Sequence, residues 1–235
     1  MPVTNALGQP IGDPIDVALP RPVPPRSEMR GDTVTIVLTD PARDAEALFR
    51  AYVLDADARN WTYLPYGPFG SLPEFTAWME TTCTGTDPLF HTVLDSDGTA
   101  VGLASYLRID PSAGVIEVGH IHFSPKLQRT RMSTEAMYLM MARVFDELGY
   151  RRYEWKCDAL NGPSRATAQR LGFSYEGTFR QATHYKGRNR DTAWFSVTDK
   201  EWPAIKAEFQ RWLSPANFDA QGQQKSRLAM PGTLT

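Results

Sequence analysis

The chain has 235 residues, 42% of them hydrophobic and 22% charged, which suits one globular domain with a full core. A formal net charge of -2 excludes a general nucleic-acid binder, which needs a broad basic face. No apolar run reaches the length of a membrane span, and the start of the chain lacks a basic segment followed by an apolar one; a cytoplasmic protein with no membrane or nucleic-acid partner is expected. The two cysteines, Cys83 and Cys157, read as buried reduced thiols.

Residues 1–31 hold seven prolines, at 2, 10, 14, 20, 22, 24 and 25, and predict an extended arm rather than helices or central strands. The domain proper is expected over 32–213. "DTVTIVLTD" alternates as a strand does, and "PARDAEALFRAYVLD" reads as a helix with Asp40 as N-cap and Pro41 at its first position. "WTYLPYGPFG" is an aromatic loop; "SLPEFTAWMETTC" is a short helix with Ser71 and Glu74 at capping-box spacing. "LFHTVLD", "AVGLASYLRID" and "VIEVGHIHF" follow as strands, joined by "SDGT" and "DPSAG" turns.

After "SPKLQRTR" a helix is predicted from Thr134 to Leu148, ended by Gly149, with Ala136, Leu139, Met140, Val144 and Leu148 on one face. "RRYEWKCD" is a strand, and "NGPSRATAQRLGF" a helix opened by Asn161 and stopped by Gly172. "SYEGTFRQATHYK" and "DTAWFSVTD" predict a hairpin turning at "GRNR", before a last helix from Asp199 to Leu213. Residues 214–235 lack periodicity and read as a loosely held tail. An antiparallel meander, then helix, strand, helix and hairpin, makes this a mixed α/β (α+β) fold with a central sheet. No dinucleotide or P-loop glycine pattern is present.

Three stretches carry a family likeness. "SPKLQRTRMSTEA" is a Gln/Arg-rich turn running into Thr-Glu-Ala, "NGPSRATAQRLGFSYEG" joins Asn and Ser to Leu-Gly-Phe and Glu-Gly, and "YKGRNRDTAWFSVTDKEWP" is a closing hairpin. In these the chain resembles the GCN5-related N-acetyltransferase (GNAT) superfamily, in its ribosomal-protein N-terminal acetyltransferase-like (RimJ/RimL-type) branch, over about residues 32–213. The resemblance implies the acyl-CoA N-acyltransferase fold, a mostly antiparallel sheet flanked by helices. It also implies acetyl-CoA as cosubstrate and a primary amine as acceptor, either a peptide N-terminus or a small molecule.

A turn between strand and helix offers backbone N–H groups and the positive end of a dipole, which together suit a pyrophosphate. Gln128, Arg129, Thr130, Arg131, Met132, Ser133 and Thr134 form that turn, with Arg131 and Ser133 at the family's glycine or alanine positions. Its other reading is an arginine-rich surface turn with a Ser/Thr N-cap. The resemblance adds Phe123 and Asn161 to the cofactor contacts and puts Ser164 near the thioester sulfur. Ala168 stands where many relatives carry a thiolate-protonating tyrosine, leaving that role to Ser164 or Tyr185.

Glu117 interrupts an apolar strand six residues before Phe123, the place of the catalytic glutamate in the histone-acetylating branch. It reads as the general base or as a carboxylate paired with lysine or arginine. His120 and His122 share a strand face, and they and His184 are further base or relay candidates. No third ligand stands at a telling spacing beside the two histidines, so no metal is expected. Trp61, Tyr63, Tyr66 and Phe69 either wall the acceptor site or plug the core. Arg180, Arg188, Arg190 and Asp191 either orient a carboxylated acceptor or form a solvated ion cluster. A non-catalytic acyl-CoA-binding or sensory module is the alternative function, and a monomer or homodimer the expected assembly.

Overall fold

The computed structural model describes residues 3–232, so the outermost residues of the expected arm and tail, 1–2 and 233–235, lie outside the described residues. Eight strands form one sheet in the order β3-β4-β5-β6-β7-β8-β10-β9. They are β3 (Met29–Arg30), β4 (Thr35–Leu38), β5 (Leu89–Leu94), β6 (Ala100–Asp110), β7 (Val115–Phe123), β8 (Arg152–Asp158), β9 (Ser174–Tyr185) and β10 (Arg188–Thr198). Neighbours run antiparallel except β7 and β8, which are parallel and therefore need a crossover. Within the arm, β1 (Val3–Thr4) and β2 (Pro10–Ile11) pair as a small exposed hairpin. Its turn is held by the Asn5 carboxamide, which accepts from the N–H groups of Leu7 and Gln9.

Local chemistry sets the helix starts. α1 (Pro41–Tyr52) begins where Asp40 accepts from the N–H of Ala42, and α2 (Leu72–Thr82) where Ser71 accepts from that of Glu74. These two helices cover one face of the meander, burying Leu48, Tyr52, Phe75 and Met79 with Phe90 and Leu103. On the other face lie α3 (Arg131–Ala142), α4 (Gly162–Arg170) and α5 (Trp202–Leu213), packing Met140, Val144, Tyr153, Phe173, Phe195 and Phe209 into the larger core. α3 starts about one turn before the expected Thr134: the N-cap is Thr130, which accepts from the Ser133 N–H, and the helix widens into a π turn over Arg143–Glu147. The hairpin turns at Lys186 and Gly187, both at positive φ, while Arg188, Asn189 and Arg190 of "GRNR" already belong to β10.

Glu135 ties α3 to the start of β4. Its buried carboxylate accepts from the N–H groups of Asp32 and Thr33, at 2.8 and 2.7 Å, and from the Thr33 hydroxyl. Gly31 is tight against it, since a Cβ there would meet the Glu135 side chain at 2.6 Å. Glu135→Ala should therefore strand these donors and cost about 2–3 kcal/mol, seen as a lower urea midpoint at unchanged slope.

Two departures from regular pairing create the site. Along β6 and β7, Leu103 pairs with His122 but Ser105 pairs with Gly119, so β7 carries one extra residue, a bulge with His120 at φ 49°. A bulge reverses side-chain alternation. Glu117 and Gly119 before it, and His120 and His122 after it, consequently share one face. The parallel β7–β8 ladder, meanwhile, runs only from Val115 opposite Arg152 to Val118 opposite Trp155. Beyond that pair the strands part, and the backbone of β7 from Gly119 to Phe123 faces an open wedge.

Candidate active site

The wedge holds two connecting clefts, of about 330 and about 750 Å³. Their shared waist is made by Asn60, Tyr63, Ile121, Trp155, Asn161 and Ser164. Two clefts that share a wall in this way let two reactants approach each other from two directions.

The larger cleft ends on the turn before α3. Phe123, Gln128, Arg129, Ser133 and Thr134 line it. Arg129 sits at φ 60°, a left-handed residue beside right-handed ones, the pattern that curls successive N–H groups into an anion-binding concavity. Among the described residues, no backbone carbonyl or side chain accepts from the N–H groups of Arg129, Thr130, Arg131 or Met132. The side chains that replace glycine keep clear. Ser133 folds its hydroxyl back to donate to the Thr130 carbonyl at 2.8 Å. Arg131 turns away, donating to the Leu213 carbonyl at 2.6 Å and lying over the Phe218 ring. The turn thus fits a phosphate group through main-chain donors.

Three side chains expected there do not line the cleft: Thr130 is the helix cap, Met132 packs on the core, and Arg131 anchors the C-terminal segment. Arg131→Ala should leave CoA affinity within about twofold while lowering thermal stability by about 1–2 kcal/mol; calorimetry with CoA and a melting curve read the two effects separately.

At the waist, Asn161 caps α4 by accepting from the Ser164 N–H at 3.1 Å, which leaves its amide donors to the cleft. Ser164 Oγ accepts from Trp155 Nε1 at 3.0 Å, so the serine keeps its own proton to give. Ala168 is fully buried in α4 and takes no part. Tyr185 lies outside the larger cleft and donates to Asp158 Oδ2 at 2.7 Å. Burial and that carboxylate push its hydroxyl up to about 12. Its proton is committed to that carboxylate.

Glu117 is buried on the floor of the smaller cleft. One oxygen, Oε2, takes both Arg108 Nη1 at 2.7 Å and Lys156 Nζ at 2.8 Å, while Oε1 has no partner among the described residues. The carboxylate is both an ion-pair member and a possible proton acceptor, through different oxygens. Lys156 also meets Glu154 at 2.7 Å and lies over Trp194, and Asp158 accepts from the Leu160 N–H and from Tyr185. Arg108, Lys156 and Asp158 were not expected at the site. Asp158 is three residues before the Asn161 cap and has the look of an ordinary turn residue.

The three candidate histidines sit in different surroundings. Tyr66 Oη lies 3.0 Å from His120 Nδ1 and has no other acceptor among the described residues. Its hydroxyl therefore donates to Nδ1, and the ring carries its hydrogen on Nε2. Burial, with Arg108 and Arg190, holds His120 down to about 4, so at neutral pH it offers a donor. His122 stacks on Tyr52 at 3.8 Å and against Trp61, and burial holds it down to about 3. It is a packing ring that borders the larger cleft. His184 is exposed on β9 at the rim of the smaller one. Among the described residues, no group of three or more His, Cys, Asp or Glu is placed to hold a metal ion.

The aromatic loop divides. Trp61 and Phe69 belong to the core under α1 and α2 and line neither cleft; Trp61 packs against Gly67, where a Cβ would fall 2.4 Å from the indole. Their expected acceptor role is corrected on that ground. Tyr63 walls both clefts and donates across the wedge to the Leu160 carbonyl at 3.1 Å; Tyr66 serves by orienting His120. The hairpin tip closes over this loop, with Lys186 donating to the Trp61 carbonyl and Arg188 to that of Thr62. Asp191 accepts from Gln181 and Asn189, and among the described residues it forms no ion pair with Arg180, Arg188 or Arg190.

A parted parallel pair in an otherwise antiparallel sheet, with unpaired helix-start N–H groups at one end, makes a cleft suited to a phosphate-bearing ligand. Residues 35–174, more than half the chain, match the family described as Acetyltransferase (GNAT) domain, and the chain belongs to that family of acetyltransferases, the RimJ/RimL-like one. It is similar to a GCN5-related N-acetyltransferase from Brucella melitensis, at 45% identity and a TM-score of 0.88, covering 91% of this chain and 97% of that one. A second solved structure, a probable GNAT-family acetyltransferase from Chromobacterium violaceum ATCC 12472, is 40% identical with a TM-score of 0.77, over 83% and 98% of the two chains. The Bacillus subtilis (strain 168) protein named "Putative ribosomal N-acetyltransferase YdaF" is 26% identical over 110 residues, or 47% of this chain. The match spans 60% of that relative's length. No helix among the described residues is long and apolar enough to cross a membrane.

Proposed function

We propose that the protein transfers the acetyl group of acetyl-CoA to a primary amine by direct attack at the waist between β7 and β8. The observation that carries this reading is the continuous wedge, with unpaired N–H groups of Arg129 to Met132 at one end and Glu117 Oε1 at the other. Acetyl-CoA supplies an activated acyl thioester. The turn before α3 holds the diphosphate, Asn161 donates to the pantetheine arm, and Ser164 gives its proton to the departing sulfur. Glu117 accepts the proton of the amine, directly or through water. An α-amine, with a pKa near 8, needs less help than a lysine near 10. The acceptor is a peptide or protein N-terminus or a small amine, and the relative named for ribosomal N-acetylation makes a protein N-terminus one candidate.

The test is thiol release from acetyl-CoA in the presence of a panel of peptides and small amines. Turnover that depends on the amine is expected. Tight CoA binding without release across the panel would overturn the reading in favour of a non-catalytic acyl-CoA-binding or sensory module.

A further inference from the structure

One cation that lines the smaller cleft has no anionic partner among the described residues. Arg108, Lys156 and Arg190 face Glu117 and Asp158 in its lining. Both carboxylates are already held, Glu117 by Arg108 and Lys156 and Asp158 by Tyr185 and the Leu160 N–H. Arg190 is left over. No carboxylate among the described residues lies within salt-bridge distance of it, and its partner across the β9–β10 ladder is the uncharged Thr183. Among the described residues only Nε is engaged, donating to Thr192 Oγ1 at 3.2 Å. That bond, with the Tyr185 ring 6.0 Å from the guanidinium carbon, fixes the plane and leaves the two terminal nitrogens unused. The charge is felt inside the cleft, since it helps hold the His120 ring neutral and opposes the rise in the Cys157 thiol.

We propose that the acceptor is a small primary amine that also carries a carboxylate, of amino-acid size, and that Arg190 holds that carboxylate. The inference rests on the acetyl-transfer reading and narrows its acceptor. Three physical points support it. A guanidinium with two free parallel N–H groups matches a carboxylate in a bidentate pair. The unpaired Arg190 charge favours the neutral form of a nearby bound amine, which is the form that attacks, and an anion on the acceptor gives Arg190 its missing counter-charge. A volume of about 330 Å³ lies at the small end of ligand pockets and suits a metabolite-sized molecule.

The experiment measures calorimetric binding to the CoA-loaded full chain, and thiol release with acetyl-CoA, for a panel of L-amino acids and their matched carboxamides. The best acids should exceed their carboxamides by on the order of ten- to a hundredfold in affinity and in kcat/KM. Arg190→Gln should erase that preference while CoA affinity, measured on the same sample, stays within about twofold. Selective binding of acids without thiol release would keep the Arg190 anchor and sink acetyl transfer alone. Carboxamides handled as well as acids, no acid bound at all, or a preference that survives Arg190→Gln would each overturn the anchor and leave acetyl transfer standing.

Discussion

Glu117→Gln should lower kcat by about a hundredfold, the usual share of a general base, with acetyl-CoA affinity within about twofold of the wild type. The amide oxygen can still accept from Arg108 or Lys156 in the place of Oε2, but a neutral amide cannot take the amine's proton. Lys156 keeps Glu154 at 2.7 Å, so its buried ammonium is not stranded, and acetyl-CoA binding verifies that the variant is folded. Steady-state rates with saturating amine and calorimetry with acetyl-CoA decide the matter. Wild-type turnover in the variant would reduce Glu117 to a link in the ion chain from Arg108 to Lys156.

The second large effect is on stability in acid. His91, His120 and His122 are held down to about 4, 4 and 3, chiefly by burial, against an ordinary value near 6.5. Above pH 6.5 these rings are neutral in both the folded and unfolded chain and contribute no pH dependence. Between pH 6.5 and 4 the unfolded chain binds up to three more protons than the folded one. Each proton is linked to about 1.4 kcal/mol per pH unit, so stability should fall by about 4 kcal/mol per unit across that window. Over the whole window this comes to about 10 kcal/mol, within the roughly 5–15 kcal/mol that domains of ordinary stability have to lose, so acid unfolding is expected as the pH approaches 4. Urea midpoints at pH 7, 6 and 5 measure the slope, and His122→Phe should reduce it by about a third. Equal stability at pH 7 and 5 would show that the rings are protonated in the folded state.

The order of strands and helices was legible because its signals are local. Asp40, Ser71 and Asn161 announce helices through caps within three residues of themselves, and alternation marks β5 to β7. The site was legible where a motif fixed it, as for Asn161, Ser164 and the turn from Gln128 to Thr134. What escaped depends on distant contacts. Gly119, inside the strand run and next to His120, is the one local sign of the bulge, but its place is set by the pairing of β7 with β6, and it decides that Glu117 and both histidines share a face. An aromatic loop cannot say which rings turn inward, and only the close approach of Gly67 to Trp61 separates plug from wall. Arg131 looked like a phosphate ligand because its partner, the Leu213 carbonyl, lies 82 residues further on.

The short β7–β8 ladder has a mechanical side. The meander from β3 to β7 and the trio β8, β10 and β9 are two slabs welded along four residue pairs, from Val115 to Val118. At the far end a latch joins them, where Lys186 and Arg188 grip the carbonyls of Trp61 and Thr62. Torque between the slabs concentrates at Val118 and Trp155, the last pair of the weld. A molecule that fills the wedge beyond that pair stands between the two slabs as a shim.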